Sequence, residues 1–552
     1  PRVSGTEEEA MPHRHRTLVA LALATATAAL PAQELAPGFV DPEPILRAAR
    51  DAIGTDNLRC VTLAGTDLYT GMVGQQRYHG YEVDWPRGAP LTNYVRTMNW
   101  DDGTLTESFD REPGQNPASW RWGMGWLDGT PVQSASRQHF YVNGDVAWHR
   151  DGDDGEPVAA HPDQAEIWQL DMWINPHGFL KAAQLPGANP HATWRWELGE
   201  MGRDGATVRP EKMFIVSITM LGKYRVDATI NQQNLLQRIH TWVAEPALGD
   251  FNYEHEFSND SYVDAGDGVR FPTGWHHHQG WDDNYQAQSE NAGHNAFGGT
   301  LADIRVNDCG DPPEPPESVR AATFPVTVET EELADGVWLM GGASHNSVAV
   351  EFADYVAVVE APIDERRNLA VIDEVVRLVP DKPIRFLINT HQHHDHIGGL
   401  RTYMHIGATI VTHWKNYAFY TRDVLNYAPR TLAPDMVSLW PPTELAEGYQ
   451  YETVRENYWL HDGARSMHVS YVHPLRLVEG MLVAYLPNER ILIEAALYDP
   501  PRPGAPGPAE PNADHRSLFE HVRRLGLDVE TIVPIHGRPV PWSQFAEFVG
   551  GQ

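Results

Sequence analysis

Four histidines and one aspartate fall within six consecutive positions of this chain, at His391, His393, His394, Asp395 and His396. In an extended segment alternate side chains share one side, so His391, His393 and Asp395 face one way and His394 faces the other. Imidazole and carboxylate groups are common ligands of zinc and related divalent ions. We expect His391 and His393 to bind one ion, and Asp395 and His396 to reach a second.

The residues on either side place this cluster at the end of a buried strand. An apolar run at 383–389 precedes it and predicts a strand, while Gly398 and Gly399 let the next helix approach closely. Between 336 and 535 the patterns of strands and helices alternate, which indicates a layered α/β architecture.

The first half of the chain has a different pattern of residue types. Short runs of β-branched and aromatic residues alternate with Gly, Asp, Asn and Pro, which favours a mainly antiparallel, curved sheet, and helical patterns are confined to 41–54, 162–175 and 176–183. We therefore expect a β-rich N-terminal domain over 40–306, a proline-rich linker over 307–321 and a second domain over 322–552.

Charge and composition exclude some functions. The 552 residues include 42 Lys and Arg against 75 Asp and Glu, for a formal charge of -33, which repels nucleic acid and anionic lipid. The hydrophobic fraction of 41% indicates a globular protein, and a small-molecule substrate is the expected partner. The two cysteines, Cys60 and Cys309, are too few for a disulfide framework or a thiolate metal site, and their pairing is left open.

The N-terminus is typical of a secretory signal peptide over 11–32. A basic stretch at 11–16 precedes an apolar run at 17–30 that is too short for a comfortable membrane span, and small residues follow. Residues 1–10 precede Met11 and are interpreted as an upstream extension. We expect a periplasmic or secreted protein without a stable membrane anchor.

The second half, over about residues 322 to 552, resembles the metallo-β-lactamase superfamily. The motifs that carry the resemblance are DGVW at 335–338, VVEAP at 358–362, THQHHDHIGG at 390–399, GATIVTH at 407–413 and PIHG at 534–537. The resemblance implies an αββα sandwich with one or two zinc ions at one edge, and hydrolysis of an ester, lactone, thioester or amide-type substrate by metal-bound hydroxide. Residue by residue, His391 and His393 match ligands of the first metal, Asp395, His396 and His536 match ligands of the second, and Asp395 takes the catalytic role.

Two positions depart from the superfamily pattern. Leu477 stands where a third first-site histidine is usual, and a remodelled loop would be needed for His473 to replace it. Ala496 stands where many members have a bridging aspartate. The second position keeps three protein ligands, the number common in catalytic zinc sites, while the first keeps two. Glu360, at the end of a strand, is placed to accept a hydrogen bond from a ligand imidazole.

Other histidines are given structural or surface roles. His413 ends a strand but matches no ligand, and the run 276–278 is expected on the surface. The first half also resembles the amino-terminal region of some large secreted members, with lipoprotein-carrier-like curved sheets, through Gly249-Asp250-Phe251 and the stretch 267–272. That region is interpreted as a scaffold over the catalytic edge.

Two alternatives stand beside the hydrolase. The same fold and ligand types suit an iron-dependent oxidoreductase, since histidine and carboxylate also bind iron. The substitutions at Leu477 and Ala496 are also compatible with a non-catalytic ligand-binding protein whose metal site has decayed. Substrate, number of metal ions and oligomeric state are not specified by the sequence.

Overall fold

A computed structural model describes residues 38–70, 89–112, 135–198, 210–279, 297–441, 448–500 and 510–550. The predicted signal peptide at 11–32 and the upstream extension at 1–10 lie outside these ranges. Within the described ranges no helix combines the length and the apolar character that crossing a bilayer requires.

The first half forms one extended antiparallel sheet, as its composition predicted. Fourteen of its described strands pair in the order β1-β8-β9-β10-β11-β12-β15-β16-β2-β3-β4-β5-β6-β7, and β13 and β14 form a separate hairpin. The strands are β1 (Phe39–Val40), β2 (Cys60–Thr70), β3 (Ala89–Asn99), β4 (Thr104–Arg111), β5 (Ser136–Asn143), β6 (Val146–Asp151), β7 (Val158–Ala159), β8 (His191–Leu198), β9 (Pro210–Met220), β10 (Tyr224–Ile230), β11 (Leu236–Glu245), β12 (Gly249–Phe257), β13 (Tyr262–Gly266), β14 (Val269–Pro272), β15 (Gly274–Gln279) and β16 (Phe297–Val306).

Three helices pack against this sheet: α1 (Pro42–Ile53), α2 (Pro162–Trp173) and α3 (Pro176–Ala182). Each begins with a proline, whose missing N–H would have no partner in the first helical turn, and the residue before it caps the helix with its side chain. Helix α1 ends at Gly54, which adopts the left-handed conformation that glycine allows.

The second half contains two mixed sheets. The first, of seven described strands, comprises β17 (Glu329–Ala334), β18 (Val337–Gly341), β19 (Ser347–Glu351), β20 (Val356–Val359), β21 (Ile384–Ile388), β22 (Thr409–His413) and β23 (Tyr451–Val454). The second, of six, comprises β24 (Asn457–His461), β25 (Ser466–Tyr471), β26 (Leu482–Leu486), β27 (Ile491–Glu494), β28 (Thr531–Pro534) and β29 (Val540–Pro541). Strands β20 to β23 run parallel, as do β27 and β28.

Seven helices of the second half are described: α4 (Glu317–Arg320), α5 (Glu365–Leu378), α6 (Leu400–His405), α7 (Tyr417–Phe419), α8 (Met436–Leu439), α9 (Ala513–Leu525) and α10 (Trp542–Val549). The alternating side chains of β20 explain the layers, because Ala357 and Val359 face the second sheet while Val356 and Val358 face the core that contains α5 and α6. Helices α9 and α10 cover the outer face of the second sheet. The αββα sandwich predicted for this half is confirmed.

The two halves dock through a reciprocal pair of contacts. The Arg430 guanidinium of the second half donates to the backbone carbonyls of Pro246 and Ala247 at 2.6 and 2.7 Å. In return, the Asp250 carboxylate accepts the backbone N–H groups of Thr431 and Leu432 at 3.0 Å. Each half therefore offers one side chain to the main chain of the other.

A disulfide joins Cys60, at the start of β2, to Cys309, which follows β16. The two residues are 249 positions apart, so the bond closes nearly the whole N-terminal domain into one covalent loop. This resolves the pairing that the sequence left open.

Replacing both cysteines by alanine is expected to lower the free energy of unfolding by about 2–4 kcal/mol, because the unfolded chain then gains the freedom of a long open loop. Denaturant titration of the wild type and of the Cys60→Ala/Cys309→Ala variant, each with and without reductant, measures the difference. Reductant should destabilise only the wild type; equal midpoints for all four samples would contradict the expectation.

Candidate metal centre

Two glycines hold the turn after β21 close to its neighbours. A Cβ at Gly399 would lie 2.1 Å from the Asn368 side chain of α5, and one at Gly398 would lie 2.1 Å from the Ile363 carbonyl oxygen. Contacts this short admit only hydrogen, so glycine is required at both positions. The turn that carries the histidine cluster is therefore packed directly against the start of α5.

Four side chains from three separate segments meet beside this turn. Asp395 and His396 come from the turn itself, His536 follows β28, and His345 lies in the loop between β18 and β19. Their potential ligand atoms all lie within 4.8 Å of one another. His345 Nε2 is 3.2 Å from an Asp395 oxygen, and the Nε2 atoms of His396 and His536 are 3.0 Å apart.

His391 and His393 lie on the other side of the same cluster. Their ring centroids are 4.5 Å apart, and the His391 ring is 4.2 Å from that of His396. The Thr390 hydroxyl meets Nδ1 of His391 at 2.9 Å, while Nε2 of His391 is buried without a hydrogen-bond partner. Such a nitrogen is suited to accept a cation.

Glu360 fixes the orientation of His396. Its fully buried carboxylate lies 2.6 Å from Nδ1 of His396 and also accepts the Thr390 backbone N–H and the Asn389 amide. With Nδ1 donating to Glu360, the Nε2 atom of His396 is directed at His536, as is usual for metal-binding histidines.

The surroundings of the site shift the pKa values of its aspartate and its histidines. Burial would raise the pKa of Asp395, but the hydrogen bond with His345 and the charges of His396 and His393 lower it well below its usual range. Burial would lower the pKa of His396, yet Glu360 raises it above 6.5. Burial, with the neighbouring histidines, lowers the pKa of His536 to about 3. The Asp395 carboxylate is therefore ionised, and the His536 imidazole is neutral, at physiological pH.

This arrangement fits a divalent cation. Two imidazole nitrogens 3.0 Å apart can share at most one proton, and an ionised carboxylate lies beside them. A metal ion satisfies these donors together, and the combination of histidine and aspartate ligands suits zinc or iron.

Sequence reasoning missed His345. The next residue, Asn346, connects this loop to the segment that carries His536. Its amide donates to the backbone oxygens of Pro534 and Gly537 at 3.2 and 2.8 Å. Nothing in the spacing of residues 345 and 395 predicts that they meet, because they lie in loops after different strands of the first sheet, 50 positions apart in the chain.

His473, which could replace the missing first-site histidine only through a remodelled loop, is not part of the ligand cluster of His345, Asp395, His396 and His536. The imidazole of His473 is directed at Glu456, 3.8 Å away, and stacks on Tyr471. Leu477 packs with the core beneath α9. The described residues therefore bring no third imidazole to His391 and His393 from this loop.

The edge near Ala496 carries a different acid. Ala496 offers no donor, as expected, but Asp499 lies three residues later and interacts electrostatically with His345 and His396. Burial raises the pKa of Asp499 above its usual value. A carboxyl group is thus present at the mouth of the site although the bridging position lacks one.

Two further histidine predictions can be compared with the structure. His413 is buried, with Nε2 3.1 Å from the Arg455 carbonyl and its ring stacked on Tyr471, so it has a structural role. The surface position expected for residues 276–278 is wrong for two of them: His277 and His278 are buried in β15. The error arose because pairing of β15 with its sheet neighbours cannot be seen from local composition.

Residues 340–536 match the family model described as the metallo-beta-lactamase superfamily, which confirms the resemblance found from the sequence. No curated protein matches the chain. Similar solved structures include a metallo-beta-lactamase from Pontibacter korlensis, at 14% identity over 41% of this chain and 98% of that one, with a TM-score of 0.32. Another is a metallo beta lactamase from Hirschia baltica, at 16% identity over 40% and 96% of the two chains, with a TM-score of 0.30.

The FIM-1 metallo-beta-lactamase of Pseudomonas aeruginosa, in its mono-zinc form, is also similar, at 17% identity over 41% and 94% of the two chains, with a TM-score of 0.29.

Replacing Glu360 by glutamine is expected to lower metal affinity by about 10–100-fold, because the neutral amide holds the His396 ring less firmly and makes its nitrogen less basic. Competition with a chromogenic chelator measures the affinity. Glu351→Gln, at an acid that pairs with Lys382 on the edge of the same domain, serves as the control and should leave affinity unchanged. Equal loss in both variants would contradict a specific role for Glu360.

Metal binding is expected to release a proton from His396, and the release should increase as the pH decreases through the raised pKa of this residue. Its pKa is raised above 6.5, so the metal-free imidazole holds a proton below that raised value, and affinity falls as the pH decreases through it. Calorimetric titrations in buffers of different ionisation enthalpy measure the release. Release should shrink in Glu360→Gln; release that is independent of pH between 5 and 9 would refute the assignment.

Proposed function

We propose that this chain, whose residues 340–536 match the metallo-beta-lactamase superfamily, is a metal-dependent hydrolase of the periplasm or extracellular space. The observation that supports this most is the convergence of His345, Asp395, His396 and His536 within 4.8 Å. Three protein ligands drawn from this group would leave one position open for water, as in catalytic zinc sites.

A divalent ion held by these residues would lower the pKa of water to about 7 and polarise a carbonyl oxygen. Asp395 remains ionised at neutral pH, so its carboxylate can orient the attacking water and accept its proton. Glu360 keeps His396 in the correct tautomer.

The charges around the site favour a neutral scissile group. Asp395 and Asp499 lie at the cluster, and the whole chain carries a formal charge of -33. A phosphate ester would bring further negative charge into this field, whereas an ester, lactone, thioester or amide would not. Zinc, as one or two ions, is the proposed cofactor.

Replacing Asp395 by asparagine is expected to reduce kcat/KM by about 100- to 10,000-fold while the protein stays folded, because the amide cannot accept the proton of the attacking water. Initial rates on a panel of chromogenic lactam, ester, lactone and thioester probes measure the effect. Asp514→Asn provides the control, because Asp514 is an aspartate of the same half whose carboxylate accepts the backbone N–H groups of Arg476 and Leu477.

Elemental analysis of protein purified without added metal completes the test. Zinc, together with loss of activity on chelation and recovery on adding Zn²⁺, supports the hydrolase. Iron with oxygen consumption would instead favour the oxidoreductase, and a chain that holds no metal would favour a decayed site. Full activity of Asp395→Asn would overturn the assigned mechanism.

A further inference from the structure

A cavity of about 560 Å³ lies between the N-terminal sheet and helix α2, and this volume is within the range of small-molecule binding sites. Gln164 and Pro246 are exposed and belong to its wall, so the cavity reaches the protein surface there. His394 bounds it on the side of the second half. The ligand cluster at Asp395 does not line the cavity, which is therefore a site separate from the metal centre.

Four aromatic side chains form a continuous part of the lining, which we call the aromatic wall. Phe109 of β4 lies at its centre, with its ring centroid 6.3 Å from that of Tyr94 and 5.7 Å from that of Phe140. Trp168 of α2 meets the Phe140 ring edge-on at 5.2 Å. Such a wall favours a ligand with an apolar body, because binding removes apolar surface of both partners from water.

The acids that line the cavity have basic partners. The pairs are Glu107 with Arg96, Asp171 with the same Arg96, and Glu245 with His394. Two of the acids also accept hydrogen bonds from tyrosines, Glu107 from Tyr94 at 2.7 Å and Asp171 from Tyr253 at 2.6 Å. These acids therefore form a network that is satisfied within the protein.

Arg111, at the end of β4, is the charged group of the lining that this network does not include. Alternation along the strand places it on the same face as Glu107 and Phe109, and its side chain lines the cavity. Its Nε atom is buried without a hydrogen-bond partner. Burial lowers its pKa, and the acid that opposes this shift is Asp151, which is exposed. Within the described ranges, no carboxylate forms an ion pair with this guanidinium, which keeps its proton in proteins.

Gln138 of β5 adds a second hydrogen-bonding group beside Arg111. It lies directly opposite Phe109 in the strand register, and so diagonally from Arg111 on the same face. Its side-chain oxygen is buried without a hydrogen-bond partner, and a glutamine amide offers donors as well as an acceptor. A carboxylate matches the planar fork of a guanidinium and can also accept from an amide.

We propose that this cavity binds a small amphipathic carboxylate, with its carboxylate at Arg111 and Gln138 and its apolar body against the aromatic wall. Arg111 lies four residues beyond Glu107 on β4, a distance of about 13 Å at the rise of a strand, so the bound carboxylate is well separated from the Glu107–Arg96 pair. The site is independent of the proposed hydrolase, because neither Arg111 nor Gln138 belongs to the metal centre.

Calorimetric titration of the full chain with two pairs of probes tests this proposal. Octanoate is compared with octanol, and 2-naphthoate with 2-naphthalenemethanol, so that each pair differs only in the charged group. We expect at least one carboxylate to bind about tenfold more tightly than its alcohol, because hydrogen bonds between charged groups are the stronger ones. The pair that binds distinguishes a chain-like body from a ring. Equal affinity for acid and alcohol, or no binding of either, would overturn the proposal.

Replacing Arg111 by glutamine is expected to weaken carboxylate binding about tenfold and to leave alcohol binding unchanged. Arg137→Gln is the matched control, because Arg137 lies on the neighbouring strand and pairs with Asp110 on the opposite face of the sheet. It should bind the probes as the wild type does, and an equal loss in both variants would contradict the proposal. Circular dichroism confirms folding; if Arg111→Gln does not fold, the comparison of acid and alcohol in the wild type still decides.

A carboxylate probe can also bind a metal ion at the C-terminal centre. The titrations are therefore repeated with chelator-treated wild type and with the His396→Gln/His536→Gln variant. Binding in the cavity should persist in both, and its loss in either would overturn the proposal. None of these results bears on the proposed hydrolase, which is tested by turnover and by metal content.

Discussion

The contact between Glu360 and His396 is the interaction on which the C-terminal site depends. A carboxylate with no solvent exposure is expensive unless its oxygens are hydrogen-bonded, and Glu360 meets this requirement only through the turn after β21. The same bonds hold Thr390 at the start of the turn and His396 near its end. The hydrogen bonds that fold the turn therefore also orient the His396 imidazole.

The N-terminal domain supports the other side of this turn. Alternation along the segment predicted that His394 faces away from the ligands, and its Nδ1 lies 3.3 Å from a carboxylate oxygen of Glu245, at the end of β11. The turn is thus enclosed between two domains. The scaffold role that the sequence suggested for the first half stays a prediction.

The sequence pattern predicted the structure correctly where contacts between neighbouring residues of the chain determine it. The helix expected directly after Gly398 and Gly399 is α6, and the alternation of strands and helices correctly indicated a layered α/β architecture. Pattern failed where distant segments decide. His345 joins Asp395 between two loops of the first sheet, and His277 is buried because β12 and β16 flank its strand; neither contact is encoded in nearby residues.

The reciprocal docking of Arg430 and Asp250 has an evolutionary consequence. Both side chains bind main-chain groups, which every residue type except proline supplies in full, so the surfaces around them are free to change composition without loss of register. Gly249 limits this freedom, since a Cβ there would lie 2.8 Å from the Arg430 side chain, and so do side-chain contacts such as that of Glu245 with His394. Substitutions beside Arg430 and Asp250 can therefore accumulate as long as the main-chain groups that these two side chains bind stay in place.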